Sequence, residues 1–241
     1  MKADTDVGPF LLAIETATAF GSVALFSADK LIASTEIRKQ QSHARLLLPI
    51  IEQLLDNLDV KPASLAAIGV SRGPGSYTGL RVGVSTAKGL CYSLQKPLIS
   101  YSTLETLADA QSDLAQQLDA SIIPMIDARR MEVYCAQYNG KGEELSPIEA
   151  KIIDEQSFQQ ELEKGPVIFC GDGAEKCRGV LSVHPNAHVL GQVLPTAVDA
   201  GSRLWTKYQR QEFEDLITFE PFYLKNFRAT KPKDPLRDRR K

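Results

Sequence analysis

One arrangement of predicted elements occurs twice in this chain, and it constrains the fold more than any other feature. The segment "FLLAIETATAFGSVALFSADKLIASTE" shows an apolar strand, an acid with a short turn, an alternating strand, a polar turn and a third strand. The segment "SIIPMIDARRMEVYCAQYNGKGEELSPIEAKII" repeats that order, with a tight turn at Asn139-Gly140. Glu15 and Asp127 fall at matching places. The two segments therefore predict two copies of one unit.

Predicted helices and buried strands follow each triplet of strands. Strands that meander and then alternate with helices are typical of an α/β lobe with a mixed sheet, so we expect a duplicated two-lobed fold. Two unrelated sandwiches that both begin with hairpins remain the alternative. The predicted domains are an N-terminal lobe, 1–118, that carries the partner-binding helices, a C-terminal lobe, 119–230, whose last helix can pack back on the first lobe, and a basic flexible tail, 231–241.

The tail and the bulk composition bear on partners and location. "KPKDPLRDRRK" holds six basic residues and two acids, so it either contacts RNA phosphates or is a solvated terminus. The whole chain has a formal net charge of −2, 43% hydrophobic and 24% charged residues, which is ordinary for a globular protein. There is no signal-peptide core, no apolar run of membrane-spanning length and no CxxC pair. We predict a reduced, cytoplasmic chain with no membrane contact.

The glycine-rich stretch "SRGPGSYTGLRVGVSTAKGLCYSL", 71–94, fits the phosphate-binding motifs poorly. No frame gives G-x-x-x-x-G-K-[ST], and Gly79 arrives one residue late for G-x-G-x-x-G. Pro74 also removes a backbone N–H where a phosphate would need a donor. The glycines therefore need another explanation.

Small residues recur every four positions in the helix that follows this loop, at Gly79, Gly83 and Ala87. A glycine inside a helix costs about 1 kcal/mol relative to alanine, so close approach of another backbone must compensate. That backbone belongs either to this chain's own sheet or helix or to another subunit.

The preceding helix, with Ser42 as its N-cap, is apolar around about 200° of its circumference, whereas a helix on its own core needs about 100°. The two helices together favour a partner, and an extra internal contact is the alternative. On this basis, Gly83→Leu is expected to abolish pairing and leave the fold intact. The predicted partner-facing residues are Leu46, Leu47, Ile50, Ile51, Leu54, Gly79, Val82, Gly83, Thr86, Ala87 and Leu90.

Other chemical patterns are incomplete. "STAK" matches S-x-x-K, but its companion motifs are absent. "HPNAH" spaces two histidines four residues apart, but Pro185 and Asn186 indicate a turn. Glu15 and Asp127 either bind magnesium in a cleft between the lobes or cap their turns.

Six segments in order across nearly the whole chain carry a family resemblance: "LLAIETATAFGSVALF", "SRGPGSYTGLRVGVSTAKGL", "PLISYSTLETLA", "IPMIDARRMEVYCAQY", "CGDGA" and "PFYLKN". Together they resemble the TsaB (YeaZ-like) family, bacterial subunits of the machinery that installs threonylcarbamoyl on the adenosine next to the tRNA anticodon. The resemblance implies an α/β, actin/Hsp70-like (ASKHA) fold of two RNase-H-like lobes, the second one reduced.

The resemblance also implies that catalysis belongs to another chain. TsaD-like transferases have two metal-binding histidines around a Leu-Glu or Met-Glu pair; here Leu104 and Glu105 remain, but Thr103 and Leu107 hold the histidine places. Their glycine-rich phosphate loop is replaced by "DARRMEVY". We therefore expect no catalytic residue, no metal and no cofactor. "IETAT" resembles the first phosphate turn of the fold, so weak nucleotide contact through Thr16 or Thr18 stays open.

The expected partners follow from the same resemblance. Family members form a heterodimer with the TsaD-type catalytic subunit through their first two long helices, in a four-helix bundle, and form a homodimer through that surface when TsaD is absent. A TsaE-type ATPase joins the complex, and tRNA is bound through it. The expected function is a non-catalytic subunit required for N6-threonylcarbamoyladenosine formation. The alternative is an actin-fold enzyme in its own right, either kinase-like or peptidase-like.

Overall fold

The computed structural model describes residues 8–39 and 43–225, and the structural statements below concern those residues. Two predicted features lie outside them, the N-cap at Ser42 and the basic tail 231–241. Within the described ranges, no helix combines the length and the hydropathy that crossing a bilayer requires.

The first sheet has five strands in the order β3-β2-β1-β4-β5. The strands β3, β2 and β1 form an antiparallel meander, and β4 and β5 continue the sheet parallel to β1. The strand bounds are β1 Phe10–Glu15, β2 Gly21–Ser27, β3 Lys30–Ile37, β4 Leu65–Gly73 and β5 Leu98–Ser102.

The second sheet repeats this topology strand for strand, in the order β10-β9-β6-β7-β8. Here β8, β7 and β6 form the antiparallel meander, and β9 and β10 run parallel to β6. The bounds are β6 Ser121–Asp127, β7 Glu132–Cys135, β8 Glu149–Ile152, β9 Val167–Cys170 and β10 Ala187–Leu190. The predicted duplication is therefore confirmed.

Burial explains the sequence of the central strands. Leu11, Leu12, Ala13 and Ile14 of β1 are all fully buried because helices cover both faces of the first sheet. A strand buried on both faces has a continuous apolar run rather than an alternation, which is the pattern of "FLLAI". The edge strand β3 is mostly exposed, with Lys30 and Glu36 among its polar residues.

Helices α1 and α2 cover one face of the first sheet, and the shorter α5 and α6 occupy the same positions in the second copy. The helix bounds are α1 His43–Asp56, α2 Tyr77–Leu94, α3 Thr103–Asp109, α4 Ser112–Leu118, α5 Gln159–Lys164, α6 Asp172–Leu181 and α7 Gly201–Gln209, with 3-10 turns at Pro62–Ser64 and Ala197–Ala200.

Each sheet is packed against a helix from the other half of the chain. Leu104 and Leu107 of α3 pack into a cluster with the second sheet, whereas Leu204 of α7 packs on the first. Arg203 of α7 joins the two layers, since its guanidinium donates to Asp109 of α3 at 2.9 Å. The predicted boundary at 118/119 falls between α4 and β6, and the domain limits stay a prediction.

Residues 211–225, here called the C-terminal strap, return over the first sheet. The Glu214 amide donates to the Leu98 carbonyl at 2.8 Å, which pairs the strap with β5. Lys88 of α2 then donates to the Phe219 carbonyl at 2.9 Å. The strap thus runs from the sheet edge along α2.

Candidate functional site

Glu15 closes β1 and is fully buried. Its Oε1 accepts a hydrogen bond from the Ala17 amide at 2.7 Å, so the carboxyl caps the turn that follows the strand. Burial disfavours the charged form and raises the pKa of Glu15 from 4.5 to about 7. The first sheet therefore ends in a buried carboxyl group that is partly protonated near neutral pH.

Hydroxyl groups surround this carboxyl at the ends of β4 and β5. Ser71 and Thr103 share a hydrogen bond of 2.7 Å between their side-chain oxygens. The Tyr101 hydroxyl donates to the Ile14 carbonyl at 2.7 Å. These groups bind one another and the backbone, so the end of the sheet is tied together internally.

The glycine-rich loop packs directly against the β1–β2 turn. The Ser76 amide donates to the Ala17 carbonyl at 2.6 Å, and the Ser76 hydroxyl caps α2 by accepting from the Gly79 amide at 3.3 Å. A Cβ at Gly75 would overlap the Ala17 carbonyl oxygen. A backbone N–H of the loop therefore donates to this turn and not to a ligand, which agrees with the poor fit of the loop to a phosphate motif.

The small-residue face of α2 has the same explanation. A Cβ at Gly79 would overlap the Thr16 carbonyl oxygen, and one at Gly83 would overlap the Thr16 hydroxyl. Ala87 is also fully buried, in the cluster beneath α1 and α2. The structure thus corrects the interpretation of this face as a groove for another subunit: it packs on this chain's own first sheet. Gly83→Leu is accordingly expected to disturb the fold, not only a partner contact.

The other predicted interface residues divide by burial. Leu47, Ile51 and Leu54 point into the core of the first lobe. The partly buried members, at the rim of that core, are Leu46, Ile50, Val82, Thr86 and Leu90. Their role in pairing stays a prediction.

Three residues on the same helices were not among the partner-facing residues predicted from the sequence. Leu48 is exposed over 53% of its surface and Tyr92 over 81%. Among the residues that the structure describes, none lies within 4 Å of the place that a Cβ at Gly89 would take, so no described contact accounts for this helical glycine. The sequence did contain one sign that Gly89 differs from the other glycines of this helix, since it falls outside the four-residue repeat of Gly79, Gly83 and Ala87.

The two candidate nucleotide-contacting hydroxyls lie inside the protein. Thr16 is fully buried and donates to the Gly79 carbonyl at 2.9 Å. Thr18 is 4% exposed, and its hydroxyl lies 3.2 Å from the Phe20 carbonyl that accepts its proton. Both hydroxyls are engaged by the backbone around the turn.

Asp127 ends β6 as Glu15 ends β1, and it also caps its turn, since its Oδ1 accepts from the Arg129 amide at 2.7 Å. Unlike Glu15, Asp127 is exposed and forms an ion pair with Lys176. Of the two roles left open for these acids, the geometry shows turn capping. In the described part of the chain, no group of three or more His, Cys, Asp and Glu side chains is placed to hold a metal ion.

The two positions where the resemblance places histidines in TsaD-like enzymes belong to α3. Thr103 and Leu107 are both fully buried. Thr103 bonds to Ser71, as described above, and Leu107 packs in the cluster between α3 and the second sheet. Neither side chain is available to a ligand.

Comparisons with known proteins agree with this architecture. A family model described as TsaD, tRNA N6-adenosine threonylcarbamoyltransferase, matches residues 31–232. The tRNA threonylcarbamoyladenosine biosynthesis protein TsaB of Bacillus subtilis (strain 168) is 35% identical over 164 residues, which cover 67% of this chain and 70% of that protein.

Solved structures extend the likeness to the fold. YeaZ from Pseudomonas aeruginosa is 29% identical, with a TM-score of 0.74, over 90% of this chain and 100% of that one. The activator of 2-hydroxyisocaproyl-CoA dehydratase from Clostridium difficile, solved with ADPNP, is 9% identical with a TM-score of 0.50, over 84% of this chain and 97% of that one. The latter likeness concerns the fold alone and agrees with the predicted two-lobed ASKHA architecture. By its sequence and its fold, this chain belongs to the TsaB (YeaZ-like) family.

Proposed function

We propose that this chain acts in tRNA threonylcarbamoyladenosine biosynthesis as a non-catalytic subunit that pairs with a TsaD-type transferase. The observation that carries the proposal is family membership: the relative at 35% identity is named for this pathway. The TsaD-type family model covers residues 31–232, so this chain and the transferase share an architecture.

The end of the first sheet supports a non-catalytic role. Related folds place ligands at the carboxyl ends of the strands, but here that place is filled by Glu15 and by the turn that packs on α2. Thr16 bonds to α2 and Thr103 bonds to Ser71, so both hydroxyls are already engaged. We assign the chemistry to the partner chain.

The outer surface of α1 and α2 supports the pairing. The partly buried residues Ile50, Val82 and Leu90 border the core, and Leu48 and Tyr92 of the same two helices are exposed apolar side chains. Gly89 lowers helix stability by about 1 kcal/mol relative to alanine, and no described residue packs where its Cβ would be. The close approach of a partner helix would compensate for that cost. The same surface would form a homodimer when the transferase is absent.

We place the assembled complex in the cytoplasm, with a TsaE-type ATPase as a further component and tRNA bound through the complex. This part of the proposal rests on the family resemblance.

Reconstitution tests the function. Threonylcarbamoyladenosine formation on tRNA would be measured with this chain alone, with its TsaD-type counterpart alone and with both, each time with threonylcarbamoyl-adenylate and the ATPase subunit. We expect product only, or far more of it, with both chains. Product from this chain alone would favour the alternative of an enzyme in its own right, and a rate independent of this chain would contradict the proposal.

A matched pair of variants tests the surface. Tyr92 on α2 and Val183 beyond α6 are both 81% exposed, so arginine at either position should leave the monomer folded. Tyr92→Arg would place an unpaired charge in the proposed contact and should weaken partner binding at least tenfold, or about 1.4 kcal/mol. Val183→Arg should leave the dissociation constant unchanged. Equal effects of the two substitutions would exclude this surface.

A further inference from the structure

An open cleft lies between the end of α2 and the C-terminal strap. It has a volume of about 550 Å³. The strap contributes Leu216, and the end of α2 with the two residues that follow it contributes the rest of the lining, namely Cys91, Tyr92, Ser93, Gln95 and Lys96. Two elements that are far apart in the sequence therefore build this one cleft, which we call the strap cleft.

The strap forms a fixed wall of the cleft. The Asp215 carboxylate accepts a hydrogen bond from the Ile217 amide at 2.9 Å, so the strap makes a tight turn here. Leu216 and Phe219 in this turn pack against the core cluster beneath α1 and α2. Lys88 of α2 donates to the Phe219 carbonyl at 2.9 Å. Because both walls are held by this chain's own contacts, the cleft is formed before a ligand arrives, which lowers the entropic cost of binding.

The lining is apolar with one cation. Cys91 is fully buried, Leu216 is half-buried, and Tyr92 is 81% exposed, so its ring is open to a partner. Lys96 is the charged member of the lining. Among the described residues, no carboxylate lies within ion-pair distance of its ammonium group. The strap cleft therefore suits an apolar side chain that has an acidic group beside it.

The position of the cleft on α2 indicates where that side chain comes from. Tyr92 follows Gly89 by three residues, so the two lie on neighbouring turns of one helix face. No described residue occupies the space beside Gly89. A partner helix that approached α2 at Gly89, with the axes about 8 to 10 Å apart, would place side chains of its next turn over Tyr92 and the cleft.

We propose that the strap cleft receives a large apolar side chain from a helix of the TsaD-type transferase, and that Lys96 pairs with an acidic residue of the same helix. The choice of the transferase as partner rests on the proposed function. The strap thereby becomes a third element of the pairing surface, beside α1 and α2. A side chain that enters a preformed cleft and excludes water is the kind of contact that dominates binding energy at protein interfaces.

Filling the cleft tests the apolar contact. Ser93 is exposed and lines the cleft, so Ser93→Trp should occupy the space without disturbing the core. We expect an unchanged melting temperature and at least tenfold weaker binding of the transferase by titration calorimetry. The control is Ser202→Trp, at an exposed position of α7, which covers the opposite face of the first sheet. It should leave the dissociation constant within about twofold of the parent value. Equal effects of the two substitutions would overturn the proposal.

Reversing the charge tests the ion pair. Lys96→Glu should weaken transferase binding about fivefold at low salt and less at high salt, because salt screens the repulsion that replaces the attraction. Lys164→Glu is the control, since Lys164 is an exposed lysine at the end of α5 in the second lobe. It should bind the transferase like the parent chain. An unchanged affinity of Lys96→Glu would contradict the assignment of an acidic residue to the bound helix.

Hydrogen exchange tests the part that the strap plays. Amides of residues 214–219 should exchange more slowly when the transferase is bound than in this chain alone. Unchanged exchange there would remove the strap from the contact. A second copy of this chain is the other possible occupant. If Ser93→Trp weakens self-association in sedimentation equilibrium but leaves transferase binding intact, the second copy fills the cleft and the proposal is overturned.

The two proposals fail in different ways. If the reconstituted reaction does not depend on this chain but Ser93→Trp still weakens transferase binding, the proposed function is wrong and the strap cleft stands. If the reaction depends on this chain and Tyr92→Arg weakens pairing whereas Ser93→Trp does not, the strap cleft is wrong and the proposed function stands.

Discussion

The first strands of the two sheets end in the same local geometry but in opposite surroundings. Glu15 after β1 and Asp127 after β6 each accept a hydrogen bond of 2.7 Å from the amide two residues on. Glu15 is fully buried, with its pKa raised by burial to about 7. Asp127 is exposed and is paired with Lys176. A duplicated motif therefore preserves the turn cap but not the electrostatics of the acid.

The helix that covers the first strand also differs between the lobes. In the first lobe, the 18-residue α2 reaches the β1–β2 turn because Gly75 and Gly79 admit the backbone of that turn. In the second lobe, the 10-residue α6 approaches Met125 through Gly171 but leaves Asp127 in solvent. In both lobes a glycine near the beginning of the helix therefore lets the chain approach the backbone at the end of the first strand.

The largest expected effect tests the close packing of α2. Gly83→Leu forces a side chain against Thr16 and should lower the free energy of unfolding by at least about 3 kcal/mol, measured by denaturant titration. Gly89→Leu, in the same helix with open space around it, should change stability by less than about 1 kcal/mol. Similar stabilities for the two variants would mean that α2 does not rest on the β1–β2 turn as described.

The next effect concerns the buried acid. Because the pKa of Glu15 is about 7 when folded and 4.5 in its ordinary state, the folded protein binds more protons between these values. The contribution of Glu15 to stability therefore falls as pH rises through this window. Glu15→Gln should gain about 2 to 3 kcal/mol relative to the parent chain between pH 5 and pH 8, measured by thermal or chemical unfolding at each pH.

Its control is the matching acid of the second lobe. Asp127→Asn removes a partly exposed ion pair and should change stability by less than about 1 kcal/mol. If Glu15→Gln showed no pH-dependent gain over the parent, the acid would have to be hydrated rather than buried.

The smallest effect compares two exposed helical glycines. Gly89 of α2 and Gly179 of α6 both have open space where a Cβ would lie. Alanine at either position should stabilise the chain by about 0.5 to 1 kcal/mol. Only Gly89→Ala should also weaken binding of the transferase partner, as read by titration calorimetry. Weaker binding for Gly179→Ala as well would indicate that the second lobe takes part in the contact.

The repeated strand pattern was enough to predict the architecture. A continuous apolar run in "FLLAI" and a second one in "SIIPMI" indicate buried central strands, and the acid and turn after each run fix where the hairpin begins. These signals are local and periodic, so they survive without knowledge of the neighbours. The family resemblance adds the names of the fold and the pathway.

The partner-facing residues were harder to predict because a small or apolar side chain looks the same whether it packs inside or outside. Gly83 and Leu47 both turned out to face this chain's own core. Gly89, which the repeat did not include, is the helical glycine without an internal neighbour in α2. Spacing along a helix identifies a face but not what covers it.

The sequence by itself determined the two lobes, the order of their elements and the acids at the ends of β1 and β6, because strand periodicity and turn residues act over a few positions. Only the tertiary structure decided that Glu15 is buried and Asp127 exposed, and that Gly79 and Gly83 of α2 pack on the first sheet. Those outcomes depend on contacts between residues far apart in the chain, and it is burial in such contacts that sets the pKa of an acid and the space beside a glycine.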